Sequence, residues 1–268
     1  MNREYRTTPS KVLGRQMEML VYGTSGKPMV VFPSQEGRFF DYENFGMIDV
    51  LAPYIQAGKL HVYCIDSIDH ESWFARVNPV ERVQRANDYD QAVKEDVVAL
   101  IQRDGHEGAG IIAHGCSFGA FHAANFALRH PDAFDSCIAL SGCYNIEFAM
   151  QGFYSNEMHL HNPMRYSADL KGKAIIGQLK ENLLIVCSGQ GAWEEWTGEA
   201  IQMCNNLSGA GVPVMLDLWG YDVNHDWPWW KKMITYYLDK FDRSGFLSAK
   251  HRMNAGQSAG FLHNFHSI

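Results

Sequence analysis

The sequence predicts an α/β fold, a mostly parallel central sheet with helices on both faces, and three observations predict it. Short apolar runs of strand length alternate with longer stretches of helical periodicity. Several of the short runs are almost continuously hydrophobic, as strands covered on both faces must be. One of them, Ile111-Ile112-Ala113, leads through Gly115-Cys116-Ser117-Phe118-Gly119 into an alanine-rich stretch, Ala120 to His130, which Pro131 stops.

In chain order, strands are expected at Met17 to Tyr22, Met29 to Phe32, Leu60 to Ile65, Gly110 to His114, Asp135 to Leu140, Leu183 to Cys187 and Pro213 to Leu218. Asp90 to Arg103 carries Val93, Val97, Leu100 and Ile101 at helical spacing, and Glu199 to Leu207 and Trp229 to Phe241 read similarly. Residues 144–178 interrupt the alternation with Met, Phe, Tyr and His. In this setting an insertion after a central strand serves either as a cap over a site or as cover for the sheet edge. No linker rich in Gly, Ser or Pro divides the chain, so residues 1–242 are expected to form one domain. Residues 243–268, polar and punctuated by glycine, read as a surface tail or an oligomer contact.

Composition narrows the function. A net charge of −7 without a basic cluster argues against a nucleic-acid partner. The opening residues, Met1 to Thr8, lack a basic-then-apolar leader, and no apolar run approaches membrane-spanning length, so a cytosolic chain without a membrane partner is expected. The six cysteines lack Cys-x-x-Cys spacing and read as reduced core residues. No metal-ligand spacing and no glycine-rich phosphate loop is present, so no metal or cofactor is expected.

The chemistry centres on Gly115-Cys116-Ser117-Phe118-Gly119. A Gly-x-Ser-x-Gly turn between strand and helix exposes its serine at the bend, which makes Ser117 the candidate nucleophile and leaves Cys116 a buried thiol. The bland alternative is a helix-capping serine. A serine hydroxyl needs a base, and of twelve histidines His225 alone sits in a loop after the last expected strand and before the last helix. His61 begins a strand, and His122 and His130 lie on the helix after Ser117. The acid belongs between Ser117 and His225 in chain order, after Leu183 to Cys187, where Glu194 and Glu195 stand side by side. Adjacent side chains point apart, so one of them reaches His225; Glu194 is favoured, with Glu195 the alternative and Asp222 and Asp226 weaker rivals. The oxyanion hole is expected from the Phe118 N–H and an amide of Gln35 or Glu36, in the loop after an early strand. Trp73 and Trp193, with Phe74 and residues 144–158, line an aromatic substrate pocket or belong to a tryptophan-rich core.

These residues resemble the Putative esterase branch of the α/β-hydrolases, which includes esterase D (S-formylglutathione hydrolase), enterochelin esterases, feruloyl esterases and mycobacterial mycolyltransferases. The resemblance spans about Tyr5 to Phe241. Its marks are the Ser117 turn, Asn125-Phe126-Ala127-Leu128-Arg129-His130-Pro131-Asp132, and His225-Asp226-Trp227-Pro228-Trp229-Trp230. Similar bacterial sequences also carry equivalents of Gly37-Arg38-Phe39-Phe40 and Asp66-Ser67-Ile68-Asp69-His70-Glu71-Ser72-Trp73. The resemblance implies an α/β-hydrolase fold, with Ser117 as nucleophile, His225 as base and an acid in Trp193-Glu194-Glu195. The chain departs from the commoner Gly-x-x-Asp arrangement, which would place the acid near Ala192. The expected function is a serine esterase acting on a small-molecule ester or thioester through an acyl-serine. The alternatives are an acyltransferase with the same triad and a non-catalytic binding protein on the same scaffold.

Overall fold

The computed structural model describes residues 1–248, 256 and 260–262. Among them, eight strands form one sheet: β1 Arg3–Ser10, β2 Arg15–Tyr22, β3 Lys27–Phe32, β4 Leu60–Ile65, β5 Ile111–Cys116, β6 Phe134–Leu140, β7 Leu183–Ser188 and β8 Val214–Leu218. Their spatial order is β1-β2-β4-β3-β5-β6-β7-β8. β1 and β2 run antiparallel, and the pairs from β4 across to β8 are all parallel. The seven expected strands form within two residues of their expected ends; β1 is additional.

Period-two alternation sorts the strand residues between two cores. Met29 and Val31 of β3 join one cluster with Val62 and Cys64 of β4, and Val30 and Phe32 join the other with Tyr63 and Ile65. The first cluster is covered by helices α1 Met47–Gln56 and α5 Trp227–Arg243. The second lies under α2 Pro79–Ala92, α3 Phe118–Arg129 and α4 Thr197–Gly209. α2 starts well before the expected Asp90, because the Asn78 side chain accepts from Glu81 N–H and Pro79 fits the first turn. It runs on through a wider turn at Val93–Val97 and an ordinary one at Val98–Ile101, and breaks in the next, Gln102–His106, where Gly105 takes φ 95°. α5 follows the Asp226 cap and buries Met233, Ile234, Tyr237, Leu238 and Phe241 along one face, each burial stabilising by about 1.5–3 kcal/mol.

The strand order places the chemistry. From β3 the chain crosses to β4 on one side, and β5 then takes the opposite side of β3. The connections leaving β3 and β5 therefore diverge, and the crevice between their carboxyl ends is where open α/β sheets bind ligands. The loop at residues 33–38 leaves β3 there, and Ser117 leaves β5.

Residues 144–178 contain short helical turns that anchor beside the elbow. Ile146, Met150 and Met158 pack with Trp73, Phe118 and Phe121 in a third cluster. Beyond α5, Phe246 and Leu247 are buried, and the Phe246 and Phe261 rings pack on Phe241 at 4.7 and 5.5 Å. Most of the expected tail, and with it the oligomer contact read there, lies outside the described residues.

Candidate active site

β5 ends at Cys116 and α3 begins at Phe118, so Ser117 alone spans the bend, at φ 58° and ψ −125°. L-residues hold such a conformation only where their surroundings impose it. Here two close approaches do so. A Cβ on Gly115 would lie 2.2 Å from the Gly119 carbonyl oxygen, and one on Gly119 would lie 2.4 Å from the Phe32 carbonyl oxygen. The small inner face of α3, Ala120, Ala123, Ala124 and Ala127, allows the same tight approach along the helix. Gly119→Ala is therefore expected to destabilise the protein by about 3 kcal/mol, since rigid backbone leaves the methyl no room. A lower urea midpoint at unchanged m-value would show it.

The other two members come from separate loops laced together. The loop after β7 meets the loop after β8 through Gly191 N–H to the Val223 carbonyl at 2.8 Å, His225 N–H to the Ala192 carbonyl at 3.0 Å, and Ala192 N–H to Asn224 Oδ1 at 2.8 Å. A Cβ on Gly191 would lie 2.4 Å from Asn224 Oδ1, so the lacing needs glycine. His225 Nε2 thereby lies 2.9 Å from Ser117 Oγ, and its Nδ1 lies 3.4 Å from Glu194 Oε2. The Trp230 indole stands edge-on to the imidazole at 4.9 Å and 84°, which restricts ring rotation.

Glu194 has a nearly buried side chain, 2% exposed. Burial pushes its carboxyl up. Hydrogen bonds from His225 and Ser141, the charge of His225 and the Gly189 N–H outweigh that and hold it below the usual glutamate range. Ser141 Oγ donates to Glu194 Oε1 at 2.6 Å, Gly189 N–H to the same oxygen at 3.1 Å, and Ser188 Oγ to Oε2 at 3.3 Å. Trp230 Nε1–H donates to Ser141 Oγ at 3.0 Å, which turns the serine proton toward the carboxylate. Sequence reasoning missed Ser141: its φ of 53° at the end of β6 aims the hydroxyl, and nothing in residue type announces a left-handed serine. Ser141→Ala is expected to lower kcat about tenfold at little-changed KM, measured by steady-state kinetics, by loosening the acid.

Of the rivals, Glu195 and Asp222 are exposed, and Asp226 caps α5 by accepting from Trp227 N–H at 2.7 Å. Cys116 is buried, and burial pushes its thiol well above the ordinary range.

Two expected positions need correction. Glu36 does not offer its amide to the crevice: at φ 52° its N–H donates to Asp69 Oδ2 at 3.2 Å. The Gln35 and Phe118 N–H groups are left without a partner among the described residues. Trp73 is a core residue, 2% exposed and packed edge-on to Phe121 and His161. Other rings pack in a row from the elbow residue Phe118: Phe118 to Phe74 at 5.1 Å, Phe74 to Phe148 at 6.2 Å and Phe148 to Trp196 at 5.2 Å. Trp193 stands clear of it, 74% exposed. Among the described residues no group of His, Cys, Asp and Glu could hold a metal ion, and no helix is long and apolar enough to cross a membrane.

An eight-stranded, mostly parallel sheet with a serine elbow facing a histidine defines a serine ester hydrolase on the α/β-hydrolase fold. More particularly, the family model described as Putative esterase matches residues 10–241, and the chain belongs to that family. A ferulic acid esterase is structurally similar at TM-score 0.69 and 15% identity, over 90% of this chain and 97% of that one. An S-formylglutathione hydrolase from Agrobacterium tumefaciens gives 0.68 and 15%, over 88% and 93%. Mycobacterium tuberculosis MPT51 gives 0.67 and 14%, over 98% and 99%. Identities this low establish the shared fold. A search of curated proteins finds no match.

Proposed function

We propose that Ser117, His225 and Glu194 form the triad that cleaves a carboxylic ester or thioester of a small molecule through an acyl-serine. The 2.9 Å contact between His225 Nε2 and Ser117 Oγ carries this reading. His225 accepts the serine proton as Oγ attacks the carbonyl carbon, and the carbonyl electron pair moves onto oxygen between the Phe118 and Gln35 N–H groups. The tetrahedral species collapses as His225 protonates the leaving alkoxide or thiolate. Water, deprotonated by the same imidazole, releases the acid. Glu194 holds Nδ1–H and stabilises the imidazolium. The wall formed by Phe74, Phe148 and Trp196 receives the apolar part of the substrate. Six buried free cysteines suit the reducing cytosol.

The test is product analysis over p-nitrophenyl esters and acyl thioesters of graded length, with and without an added alcohol. Release of free acid supports hydrolysis. Ester formed with the alcohol in preference to acid would replace the reading with acyl transfer. No turnover and no acyl-enzyme with any of them would leave a binding protein.

A further inference from the structure

The segment from Asp66 to Trp73 takes no part in the triad, yet it holds the loop after β3 along its length. Arg38 Nε donates to both Asp66 oxygens at 2.8 and 2.9 Å, Phe39 N–H to Asp66 Oδ1 at 3.3 Å, and Ser67 Oγ to the Gly37 carbonyl at 3.1 Å. Asp69, in the same segment, is 1% exposed. Its Oδ2 accepts from Glu36 N–H at 3.2 Å, and its Oδ1 accepts from His122 Nε2 at 2.8 Å. His122 lies on α3, five residues after Ser117, edge-on to the Phe118 ring at 5.1 Å and 88° and stacked on Phe32 at 5.9 Å. A carboxylate is kept this deep only when donors satisfy it, and these two donors come from the loop after β3 and the helix after the elbow.

The turn also engages groups of its own. Gly37 N–H closes it on the Ser34 carbonyl at 2.8 Å, and Ser34 Oγ ties it to the Cys116 carbonyl at 3.2 Å. The Glu36 and Gly37 amides are thus taken, while Gln35 N–H, next in the turn, has no partner among the described residues. We propose that Asp69 and His122 are a positioning pair that joins the two halves of the oxyanion hole, setting the Gln35 N–H of one loop against the Phe118 N–H of the elbow helix. The pair rests on the triad reading above and touches no substrate. Donors aimed in advance at the developing charge spare the enzyme reorganisation in the transition state, so a pair that aims them acts on kcat.

The test uses the full chain with p-nitrophenyl acetate as substrate and 2,2,2-trifluoroacetophenone as inhibitor. Ser117 Oγ adds to the ketone carbon, its proton passes to His225, and the carbonyl pair becomes an oxyanion in the hole. In Asp69→Asn and His122→Phe, kcat is expected to fall about 10- to 100-fold with KM within about twofold, and the ketone's inhibition constant to rise by the same factor as kcat falls. The double variant is expected to be no worse than the poorer single one, because both act through one contact. Unchanged kcat and inhibition constant in variants melting with the wild type would overturn the proposal, as would a loss of kcat with unchanged ketone affinity. Should neither variant fold, hydrogen exchange on the wild type decides. The Glu36 amide is expected to exchange slowly in the free enzyme and the Gln35 amide to slow only with the ketone bound; fast exchange of both in both states would overturn the pair. Wild-type turnover that survives Ser117→Ala is a separate result, and it would overturn the triad reading itself.

Discussion

In the Ser117→Ala enzyme, ester hydrolysis is expected to fall by about 10⁴- to 10⁶-fold, and covalent labelling by a fluorophosphonate probe to disappear. The size follows from the geometry. Ser117 Oγ is the only group of the elbow within hydrogen-bond reach of His225 Nε2 among the described residues, at 2.9 Å. The adjacent Cys116 thiol is buried and held protonated, so it offers no substitute nucleophile. The residue of catalysis would come from the oxyanion donors and from binding. Labelling of the variant at the wild-type rate would remove Ser117 from the mechanism.

The second large effect separates two neighbouring glutamates. Glu194→Gln is expected to lower kcat by about 10³- to 10⁴-fold, and Glu195→Gln to stay within about twofold of wild type. An amide facing Nδ1 presents either a second donor, which forces the wrong tautomer, or an oxygen without the charge that steadies an imidazolium. Glu195 is exposed and outside the network, so its loss removes only a solvated charge. The same carboxylate leaves a mark on stability. Because folding holds Glu194 below its ordinary range, it stabilises the protein at pH values above the unfolded glutamate value, and that contribution is lost as pH falls through the folded value. Thermal melts of wild type and Glu194→Gln should therefore converge on acidification. A large kinetic loss in Glu195→Gln instead would transfer the acid's role.

Most of the sheet was legible because its strands are buried on both faces, and burial writes itself as unbroken apolar runs. β1 escaped for the opposite reason. Arg3-Glu4-Tyr5-Arg6-Thr7-Thr8-Pro9-Ser10 is a polar, exposed edge, held by its ladder to β2. The early start of α2 had a signal in Asn78-Pro79 and Glu81, a cap that hydrophobic periodicity does not see. The helix Met47–Gln56 carries Met47, Ile48, Leu51, Tyr54 and Ile55 at helical spacing but with Pro53 inside, which masks it as a loop. At the site, chain order and loop position led to Ser117, His225 and Glu194. Asp69 and His122, 53 positions apart, could be paired only by the fold. Trp73 shows the limit of residue type: a large aromatic area says that a ring is covered, and leaves open whether substrate or protein covers it.

The left-handed backbone of Ser117 has a consequence for anyone who would make this protein sturdier. Glycine adopts φ 58° without the penalty, of order 1–3 kcal/mol, that a side chain carries there. Ser117→Gly is therefore a candidate for raising the melting temperature while removing the hydroxyl that reacts. A library screened for heat survival alone would enrich inert molecules at this one codon. The elbow is thus a place where robustness and turnover are inherited in opposite directions, and selection on activity must accompany selection on stability.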